Sequence, residues 1–413
     1  MLTLEQSEAL TRVGRGTPMG TLLRRYWLPV AAAVEVARGR AVPVRVLGED
    51  LALFRTSAGH LGLVDARCPH RGASLAYGIV DGDGVRCPYH GWRFDRGGRC
   101  TEITTLAGNA SEALRDRAGT VGYPVQELGG LVFGYLGPAP APRLPRYDVF
   151  AWPGVLRDIG RAVIPCNFLQ IMENSVDPVH LEWLHGHLLD ATRAARNEVS
   201  PTRYRRHHVD IGFDVFEHGI VKRRLLEGGS RDDDDWRIGH PLVFPLMVRV
   251  GADRQHRFQI RVPVDDTHTL HWWYSCYLPA PGRPAVHQDE IPVYNVPFRD
   301  EHGFLLDFVD GGDIMTWVTQ GPIADRTREL LVDTDRGIVL LRRLYLEQIE
   351  RVRAGLDPIG VFRGAEPGDI IELEQEQQKY GDGAAFLAES IDASHVRYSP
   401  LRRRIIELLS TAG

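Results

Sequence analysis

Alternating apolar and polar positions in the first third of the chain predict short β-strands between about residues 43 and 137. Glycine-rich turns, such as Asp81–Gly84 and Arg96–Gly98, separate these runs. The clearest runs are Val42–Leu47, Leu51–Phe54, His60–Asp65 and Leu131–Leu136. We therefore expect a small all-β unit in this part of the chain.

A proline-rich stretch, Gly137–Pro145, follows the strand region. Alternating prolines favour an extended, semi-rigid connector. The chain has 413 residues, a length that corresponds to about two to three domains. We therefore expect a domain boundary at this stretch.

Helical and strand patterns both occur after the boundary. Ile171–Leu189 has a helical pattern, whereas Leu242–Leu278 alternates as strands around a turn at Asp265-Asp266. A second helix is indicated by apolar residues at helical spacing, Ile338, Leu341, Tyr345, Ile349 and Val352. Gly355 and Pro358 then mark its end. The fold class expected for the whole chain is α+β.

Composition narrows the class of protein. A hydrophobic content of 43%, a charged content of 25% and a net charge of −5 predict a packed globule and give no indication of a nucleic-acid partner. The start of the chain, Met1–Thr17, has no signal-peptide pattern, and no apolar run reaches the roughly eighteen residues of a membrane span. The acidic run Asp232–Asp235 is interpreted as a solvated loop.

The chain has five cysteines, and the three outside the motif described next are scattered and odd in number. They are Cys100, Cys166 and Cys276. A disulfide framework is therefore not expected. Free thiols indicate a reducing, cytoplasmic location.

Two short segments each combine one cysteine with one histidine: Cys68-Pro69-His70-Arg71-Gly72 and Cys87-Pro88-Tyr89-His90-Gly91-Trp92. Two cysteines and two histidines are the ligands of a Rieske [2Fe–2S] cluster, in which the cysteines hold one iron and the histidines the other. The alternative is a structural zinc site, but zinc ligand pairs usually have Cys-x(2–4)-Cys and His-x(3–5)-His spacing. The mixed pairs favour the cluster.

A second group of metal ligands is indicated by His180 and His185. Two histidines and one carboxylate on one face are the ligands of a mononuclear Fe(II) site. In a regular helix these histidines would point about 140° apart, so they can converge only if the helix is distorted, for example by a π-bulge. His187 lies seven residues from His180, which is too far along a regular helix for one iron, and is expected either at the surface or in contact with a ligand residue.

Asp177 precedes His180 by three residues, so its carboxylate could bind the Nδ1–H of that imidazole. It could also be an acid at a helix N-terminus, next to Pro178, and both roles can hold at once. The third iron ligand should be an acid from a distant segment. Four acids remain open as candidates on the sequence alone: Asp307, Asp310, Asp313 and Asp325.

Arginines and tryptophans in the strand region could belong to a substrate pocket. Strand alternation favours solvent-facing positions for Arg249, Arg257 and Arg261, although one of them could hold an acidic substrate. Three tryptophans are expected in the core: Trp272, Trp273 and Trp317.

Together these motifs resemble the Rieske non-haem iron aromatic ring-hydroxylating oxygenases, specifically the catalytic α subunits of the phthalate dioxygenase type. The resemblance runs nearly from end to end. It rests on both Cys–His loops and on four further segments: Gly16-Thr17-Pro18-Met19-Gly20 with Arg25-Tyr26-Trp27, Asn174-x2-Asp177-x2-His180-x4-His185, Arg261–Thr269, and Asp313 with Gln320–Arg326.

The resemblance implies an architecture. An N-terminal extension, residues 1–40, would pack on the catalytic domain; residues 41–140 would form the all-β Rieske domain; and residues 141–413 would form a helix-grip (START/Bet v1-like) catalytic domain with an antiparallel sheet. It also implies a head-to-tail homotrimer. In that trimer Asp177 would bridge His180 to His90 of the partner subunit.

The resemblance also implies roles for particular residues. Asp313 would be the carboxylate ligand of the mononuclear Fe(II), because it stands eight residues before Gly321-Pro322. Asn174 and Asp177 would be catalytic residues. The cofactors would be the [2Fe–2S] cluster and the Fe(II).

The expected function is that of the oxygenase component of a multicomponent system. It would use O2 to hydroxylate, cis-dihydroxylate or O- or N-demethylate a small aromatic substrate. Electrons would come from NADH through a separate reductase with a flavin and a ferredoxin-type cluster, since no dinucleotide-binding glycine motif is evident. The alternative is a Rieske electron-transfer protein whose C-terminal domain binds a ligand.

Overall fold

The computed structural model describes residues 1–106, 108–196, 204–364, 369–377 and 391–410. The chain forms two compact units. The β unit comprises Val13–Pro145 and a short segment that begins at Val361. The α+β unit comprises Met1–Arg12, Arg146–Gly360 and the described residues after 368.

The helices are short apart from two. They are α1 (Leu4–Thr11), α2 (Pro18–Leu23), α3 (Glu112–Arg117), α4 (Asp148–Ala151), α5 (Phe168–Ser175), a π-helix (Leu181–Leu188), α6 (Leu189–Ala194), α7 (Asp234–Arg237), α8 (Val309–Thr319), α9 (Arg336–Arg353) and α10 (Arg402–Leu409). Single 3₁₀ turns lie at Ala33–Glu35, Leu75–Tyr77, Asp333–Asp335 and His395–Tyr398.

The strands of the β unit are β1 (Trp27–Ala32), β2 (Arg40–Val46), β3 (Glu49–Arg55), β4 (Leu61–Asp65), β5 (Ile79–Asp81), β6 (Gly84–Arg86), β7 (Arg93–Asp95), β8 (Cys100–Glu102), β9 (Thr104–Thr105), β10 (Gly108–Asn109), β11 (Gly122–Tyr123), β12 (Val125–Leu128) and β13 (Leu131–Tyr135). They form small antiparallel sheets ordered β1-β13-β12, β11-β4-β3-β2, β5-β6-β7-β8 and β10-β9. The prediction of an all-β unit here is confirmed.

The strands of the α+β unit are β14 (Leu156–Ile164), β15 (His208–Phe216), β16 (Gly219–Leu226), β17 (His240–Val243), β18 (Met247–Ala252), β19 (Gln255–Pro263), β20 (Thr269–Tyr277), β21 (Val293–Asn295), β22 (Arg299–Asp300) and β23 (Gly303–Phe304). Eight of the described strands form one sheet in the order β15-β16-β17-β18-β19-β20-β14-β21. It is antiparallel except for the β14–β21 pair. The α+β fold and the antiparallel sheet are confirmed, whereas the helix-grip assignment stays a prediction.

The N-terminal residues divide differently from the predicted extension 1–40. Helix α1 packs against α5 and α9 in the α+β unit, and Asn167 Nδ2 donates to the carbonyl of Thr11 over 2.9 Å. The chain from Val13 onward belongs to the β unit, because β1 pairs with β13 there. Residues 1–12 thus belong to the α+β unit, and the packing expected for the rest of the extension stays a prediction.

The helix predicted at Ile171–Leu189 is interrupted. Helix α5 ends at Ser175, and the chain leaves helical geometry around Asp177 and Pro178 before the π-helix begins at Leu181. Proline lacks an N–H group and disfavours helical geometry in the residue before it, which accounts for the break. The continuous helix was a wrong prediction, and the π distortion is confirmed.

Both faces of the large sheet are covered. Helix α5 packs against β19 on one face, while Phe258 packs against Phe150 and Tyr147, next to α4, on the other. The predicted core tryptophans Trp272, Trp273 and Trp317 are all buried.

Candidate active site and metal centres

The two Cys–His loops of the β unit share one backbone geometry. In each loop the glycine four residues after the cysteine has φ of +76° and donates its N–H to the cysteine carbonyl: Gly72 to Cys68 over 2.8 Å, and Gly91 to Cys87 over 3.0 Å. This left-handed conformation strongly favours glycine. The two loops are therefore equivalent turns that hold two side-chain pairs in similar positions.

The two cysteine side chains and the two histidine side chains of these loops differ in burial. The sulfur atoms of Cys68 and Cys87 lie in the buried core, whereas His70 and His90 are exposed, with ring centroids 4.6 Å apart. Trp92 stacks on His70 at 4.5 Å and fixes that ring. A buried sulfur pair beside an exposed imidazole pair fits a [2Fe–2S] cluster with different ligands on its two irons.

Burial, together with the neighbouring Cys87 thiol, raises the pKa of Cys68 to about 11. The thiol is therefore protonated at neutral pH until a metal displaces the proton.

The α+β unit brings three predicted ligands together. The π-helix places the imidazoles of His180 and His185 with ring centroids 5.1 Å apart. Their Nε2 atoms lie 3.8 Å and 3.2 Å from Oδ1 of Asp313, in the middle of α8. The three ligand atoms lie within 4.8 Å of one another. Two histidines and one carboxylate meeting at a point fit a mononuclear iron site.

The other three candidate acids are used elsewhere. Asp310 accepts hydrogen bonds from Trp273 and from the backbone N–H of His395. Asp307 forms ion pairs with arginines in the same unit. Asp325 accepts hydrogen bonds from Thr327. Of the four candidates, Asp313 is the acid that lies beside His180 and His185.

A hydrogen bond orients the imidazole of His180. Its Nδ1 lies 2.5 Å from the backbone carbonyl of Asp177, so Nδ1 carries the proton and the Nε2 lone pair faces Asp313. Burial, and next the neighbouring His185, lower the pKa of His180 to about 3 and keep the ring neutral. Oδ1 of Asp313 is buried and accepts no hydrogen bond within the described part of the chain. His180 and Asp313 therefore each have an unused lone pair on the side where Nε2 of His185 also lies.

The carboxylate of Asp177 lies differently from the prediction. Its Oδ2 stands 3.7 Å from Nδ1 of His180, and the hydrogen bond predicted for it goes to the Asp177 main-chain carbonyl instead. Oδ1 accepts the N–H of Val179 over 3.0 Å. Burial raises the pKa of Asp177. About a quarter of the Asp177 side chain is exposed.

A cavity of about 130 Å³ adjoins the three ligands. Asn174 and the π-helix line one side, and the sheet lines the other with three residues of β19, Arg257, Gln259 and Arg261. The sequence interpretation of Arg257 and Arg261 as solvent-facing was wrong, because both are buried. The reason is that alternation separates the two faces of a strand but does not tell which face is exposed.

Arg249 was also wrongly predicted as solvent-facing, since it is 1% exposed. Its guanidinium lies on the opposite face of the sheet from that of Arg257. It stands over Phe258, its register partner on β19, and forms an ion pair of 3.1 Å with Asp148. His187 is exposed, as expected.

Part of the acidic run was also interpreted incorrectly. Asp232 and Asp233 are exposed, but Asp234 is buried and Asp235 is half-buried. Asp235 accepts a hydrogen bond from Arg224 over 2.9 Å, because the run forms α7 beside β16. The arginines of β16 could have indicated the burial of these acids, because buried arginines need carboxylates nearby.

Comparison with known proteins agrees with both centres. A Rieske [2Fe–2S] domain model matches residues 26–114, and a LigXa C-terminal domain-like model matches residues 306–389. The 5,5'-dehydrodivanillate O-demethylase oxygenase subunit of Sphingobium sp. is 40% identical over 88% of this chain and 84% of its own length. The phthalate 4,5-dioxygenase oxygenase subunit of Pseudomonas putida is 30% identical over 91% of this chain and 92% of its own.

The chain belongs to the Rieske non-haem iron oxygenases. The fold agrees with that of NdmA from Pseudomonas putida CBB5, which has a TM-score of 0.60 at 20% identity and covers 84% of this chain and 98% of NdmA.

As a Rieske oxygenase, the protein is the oxygenase component of a multicomponent system that depends on a separate reductase, and it uses a [2Fe–2S] cluster and a mononuclear iron. Its function as an oxygenase is confirmed over the alternative of an electron-transfer protein. Among the described residues, no helix combines the length and the apolar character needed to cross a membrane.

Proposed function

We propose that His180, His185 and Asp313 hold the mononuclear Fe(II), and that a small aromatic substrate is oxidised in the adjoining cavity. The observation that carries this proposal is the convergence of three ligand atoms within 4.8 Å beside that cavity. When bound, the iron supplies a site for O2 activation, because two histidines and one carboxylate leave coordination positions open. The residues of the chain hold the metal, exclude bulk water and orient the substrate.

Cys68 and Cys87 would hold one iron of the cluster, and His70 and His90 the other. The cluster supplies single electrons when bound. The exposure of both imidazoles supports a position of this electron source at the surface of the β unit. A partner can therefore approach the cluster without any rearrangement of the core.

We place the protein in a head-to-tail homotrimer, in which Asp177 connects His180 to His90 of the partner subunit. The proposal is supported by the partial exposure of the Asp177 side chain and by the exposure of His90 in its own unit. Electrons would arrive from an NADH-dependent reductase with a flavin and a ferredoxin-type cluster. A cytoplasmic location is proposed because the five cysteines are free thiols.

The proposed reaction is O-demethylation of an aryl methyl ether. The relative with 40% identity is an O-demethylase, whereas the dioxygenase relative is 30% identical. In this reaction one methyl ether, one O2, two electrons and two protons give a phenol, formaldehyde and water. Asn174, a residue that lines the cavity, would orient the substrate by hydrogen bonding. cis-Dihydroxylation is the second candidate.

The test uses the purified protein with an NADH-dependent reductase and a series of methoxybenzoates. Release of formaldehyde in proportion to the NADH consumed would support O-demethylation. Formation of a cis-dihydrodiol instead would support cis-dihydroxylation, the second candidate. Asp313→Ala should abolish turnover, because it removes one of three metal ligands. Asp289→Ala is the matched control, since the Asp289 side chain is 89% exposed. Full activity of Asp313→Ala would contradict the assignment.

A further inference from the structure

Four aromatic rings in the core of the α+β unit form one continuous stack. The indole of Trp317 lies over the imidazole of His271, with ring centroids 5.6 Å apart and an angle of 19° between the ring planes. The same imidazole lies 4.1 Å from the indole of Trp273, at an angle of 38°. Trp273 in turn stacks on His395 at 5.4 Å. The stack therefore joins α8, strand β20 and the 3₁₀ turn that begins at His395.

One end of the stack lies near the proposed metal site. Trp317 follows Asp313 by four residues in α8, so the two side chains share one face of the helix, about 6 Å apart along its axis. The register partner of His271 on β19 is Arg261, which lines the cavity. The stack thus begins about one helical turn from a proposed iron ligand.

The other end of the stack reaches the surface of the unit. His395 and Tyr398 are the first and last residues of one 3₁₀ turn, in which side chains three residues apart eclipse each other. Tyr398 packs against the core that contains Trp273 and Trp317, and it is partly exposed. An oxidisable phenol therefore stands between the stack and solvent.

The middle ring of the stack is polar but makes no hydrogen bond. His271 is 0% exposed, and neither of its ring nitrogens has a partner among the residues that the structure describes. Burial, and next the charge of Arg261, lower the pKa of His271 well below its ordinary value, so the ring is neutral. A buried polar group without partners costs free energy and calls for a role besides packing. Its flat ring continues the stack between the two indoles, which an aliphatic side chain would interrupt.

The next indole has a base for its proton. Nε1 of Trp273 donates to Oδ1 of Asp310 over 2.7 Å, while Oδ2 of Asp310 accepts the backbone N–H of His395 over 2.8 Å. The carboxylate can take the indole proton when the indole loses an electron. This contact therefore makes one-electron oxidation of Trp273 easier.

We propose that Trp317, His271 and Trp273 conduct oxidising equivalents away from the metal site when O2 is reduced there without substrate. The inference rests on the proposed function, which supplies O2 and two electrons from NADH. The aromatic stack gives two further electrons, one at a time, and with four protons O2 becomes two molecules of water. Trp273 lends its proton to Asp310 until it is reduced again. Tyr398 is restored by a one-electron reductant in solution, such as ascorbate or a thiol.

The test is turnover without substrate, followed by peptide mass spectrometry. The iron-loaded protein, its reductase, NADH and O2 are incubated with catalase, which removes free peroxide, and the digested protein is searched for oxygen added to tryptophan and tyrosine. We expect oxidation at Trp317, Trp273 and Tyr398 that grows with the NADH consumed. Trp183 should stay largely unoxidised although it is 66% exposed. Added ascorbate should reduce the oxidation of the stack.

One variant tests conduction through the middle ring. His271→Leu keeps a buried apolar side chain in the core but interrupts the stack. Oxidation should persist at Trp317 and be lost at Trp273 and Tyr398. A role of His271 in packing alone would not produce this change in the position of oxidation.

A second pair of variants tests protection of the metal site. Trp317→Phe should release iron several-fold faster per NADH consumed, and oxidation should appear at His180 and His185. Trp272→Phe is the matched control, because Trp272 is also 0–2% exposed but leaves β20 on the opposite face from Trp273. This control should change neither the iron loss nor the position of oxidation.

Three results would overturn the inference. The first is consumption of NADH by the unaltered protein with no oxidation of the stack, and the second is oxidation of Trp273 that survives His271→Leu. The third is equal iron loss in Trp317→Phe and Trp272→Phe. If a protein with any of these results still forms product from an aromatic substrate, the proposed function stands and the inference alone fails. If it neither consumes NADH nor oxidises a substrate, both are contradicted.

Discussion

Glu173 forms a buried ion network that fixes the segment leading to the metal ligands. Its Oε1 accepts hydrogen bonds from Arg326 over 2.8 Å and from Arg342 over 2.7 Å, and its Oε2 accepts a second bond from Arg326 over 2.7 Å. All three side chains are less than a tenth exposed. Burial alone would raise the pKa of Glu173, but the two guanidinium groups hold it below its ordinary value. The network ties α5 to α9.

Glu173→Ala should therefore cost about 3–5 kcal/mol of unfolding free energy, the usual effect of removing one partner of a buried pair. The lower end of this range is favoured, since in the variant Arg326 still donates a hydrogen bond to the carbonyl of Ala324 and Arg342 still donates to the carboxylate of Glu329. At about 2–4 °C per kcal/mol, the melting temperature of the α+β unit should fall by about 6–20 °C. Differential scanning calorimetry measures this change.

The matched control is Glu347→Ala, which removes an exposed pair with Arg343 at 3.4 Å. Such surface pairs contribute about 0–1 kcal/mol. If Glu173→Ala lowered the melting temperature no more than Glu347→Ala, the network would not hold α5 in place and the argument would be refuted.

Three other predictions concern the electron path, the cluster loop and acid stability. Asp177→Asn should keep both metal centres, since its amide oxygen can still accept the N–H of Val179, but it should slow turnover about 10-fold or more; unchanged steady-state turnover would contradict this role. Gly72→Ala should destabilise its loop by about 1–2 kcal/mol, because residue 72 has a φ of +76°, and the visible absorption of the cluster should be lost faster on heating. Gly14→Ala also adds a Cβ in open space, but at a position without a positive φ, and it should have neither effect. Because the folded-state pKa of Glu173 is lowered, the ionised Glu173 stabilises the protein above the ordinary pKa of 4.5, and this stabilisation is lost as pH falls through the lower folded-state pKa. The difference in unfolding free energy between the unaltered protein and Glu173→Gln should therefore shrink on acidification. A difference that grew on acidification would contradict this prediction.

From the sequence, the groups of candidate metal ligands could be predicted more accurately than the backbone structure around them. The loops at Cys68 and Cys87 follow from local spacing and turn glycines, because their ligands lie close together in sequence. The π-helix could also be predicted, since His180 and His185 converge only if the helix widens. The break before it was missed, although Pro178 was available as a signal.

Long-range pairing was harder to predict. Which acid comes to lie beside His180 and His185 depends on where α8 contacts the π-helix, and no local pattern separates Asp313 from Asp310. The same limit applies to Arg261: the polar face of β19 was recognised, but the helices that bury it come from distant parts of the chain. Charge on an alternating strand was therefore interpreted as exposure, when it lines an internal cavity.

The most direct test of the central claim is a metal count on the purified protein and on Asp313→Ala. A cluster and a separate mononuclear site predict about three iron atoms and two acid-labile sulfides per chain. Asp313→Ala should fall to about two irons with unchanged sulfide and unchanged cluster absorption. Two irons per chain in the fully loaded unaltered protein, or three in Asp313→Ala, would contradict the assignment of the iron to His180, His185 and Asp313.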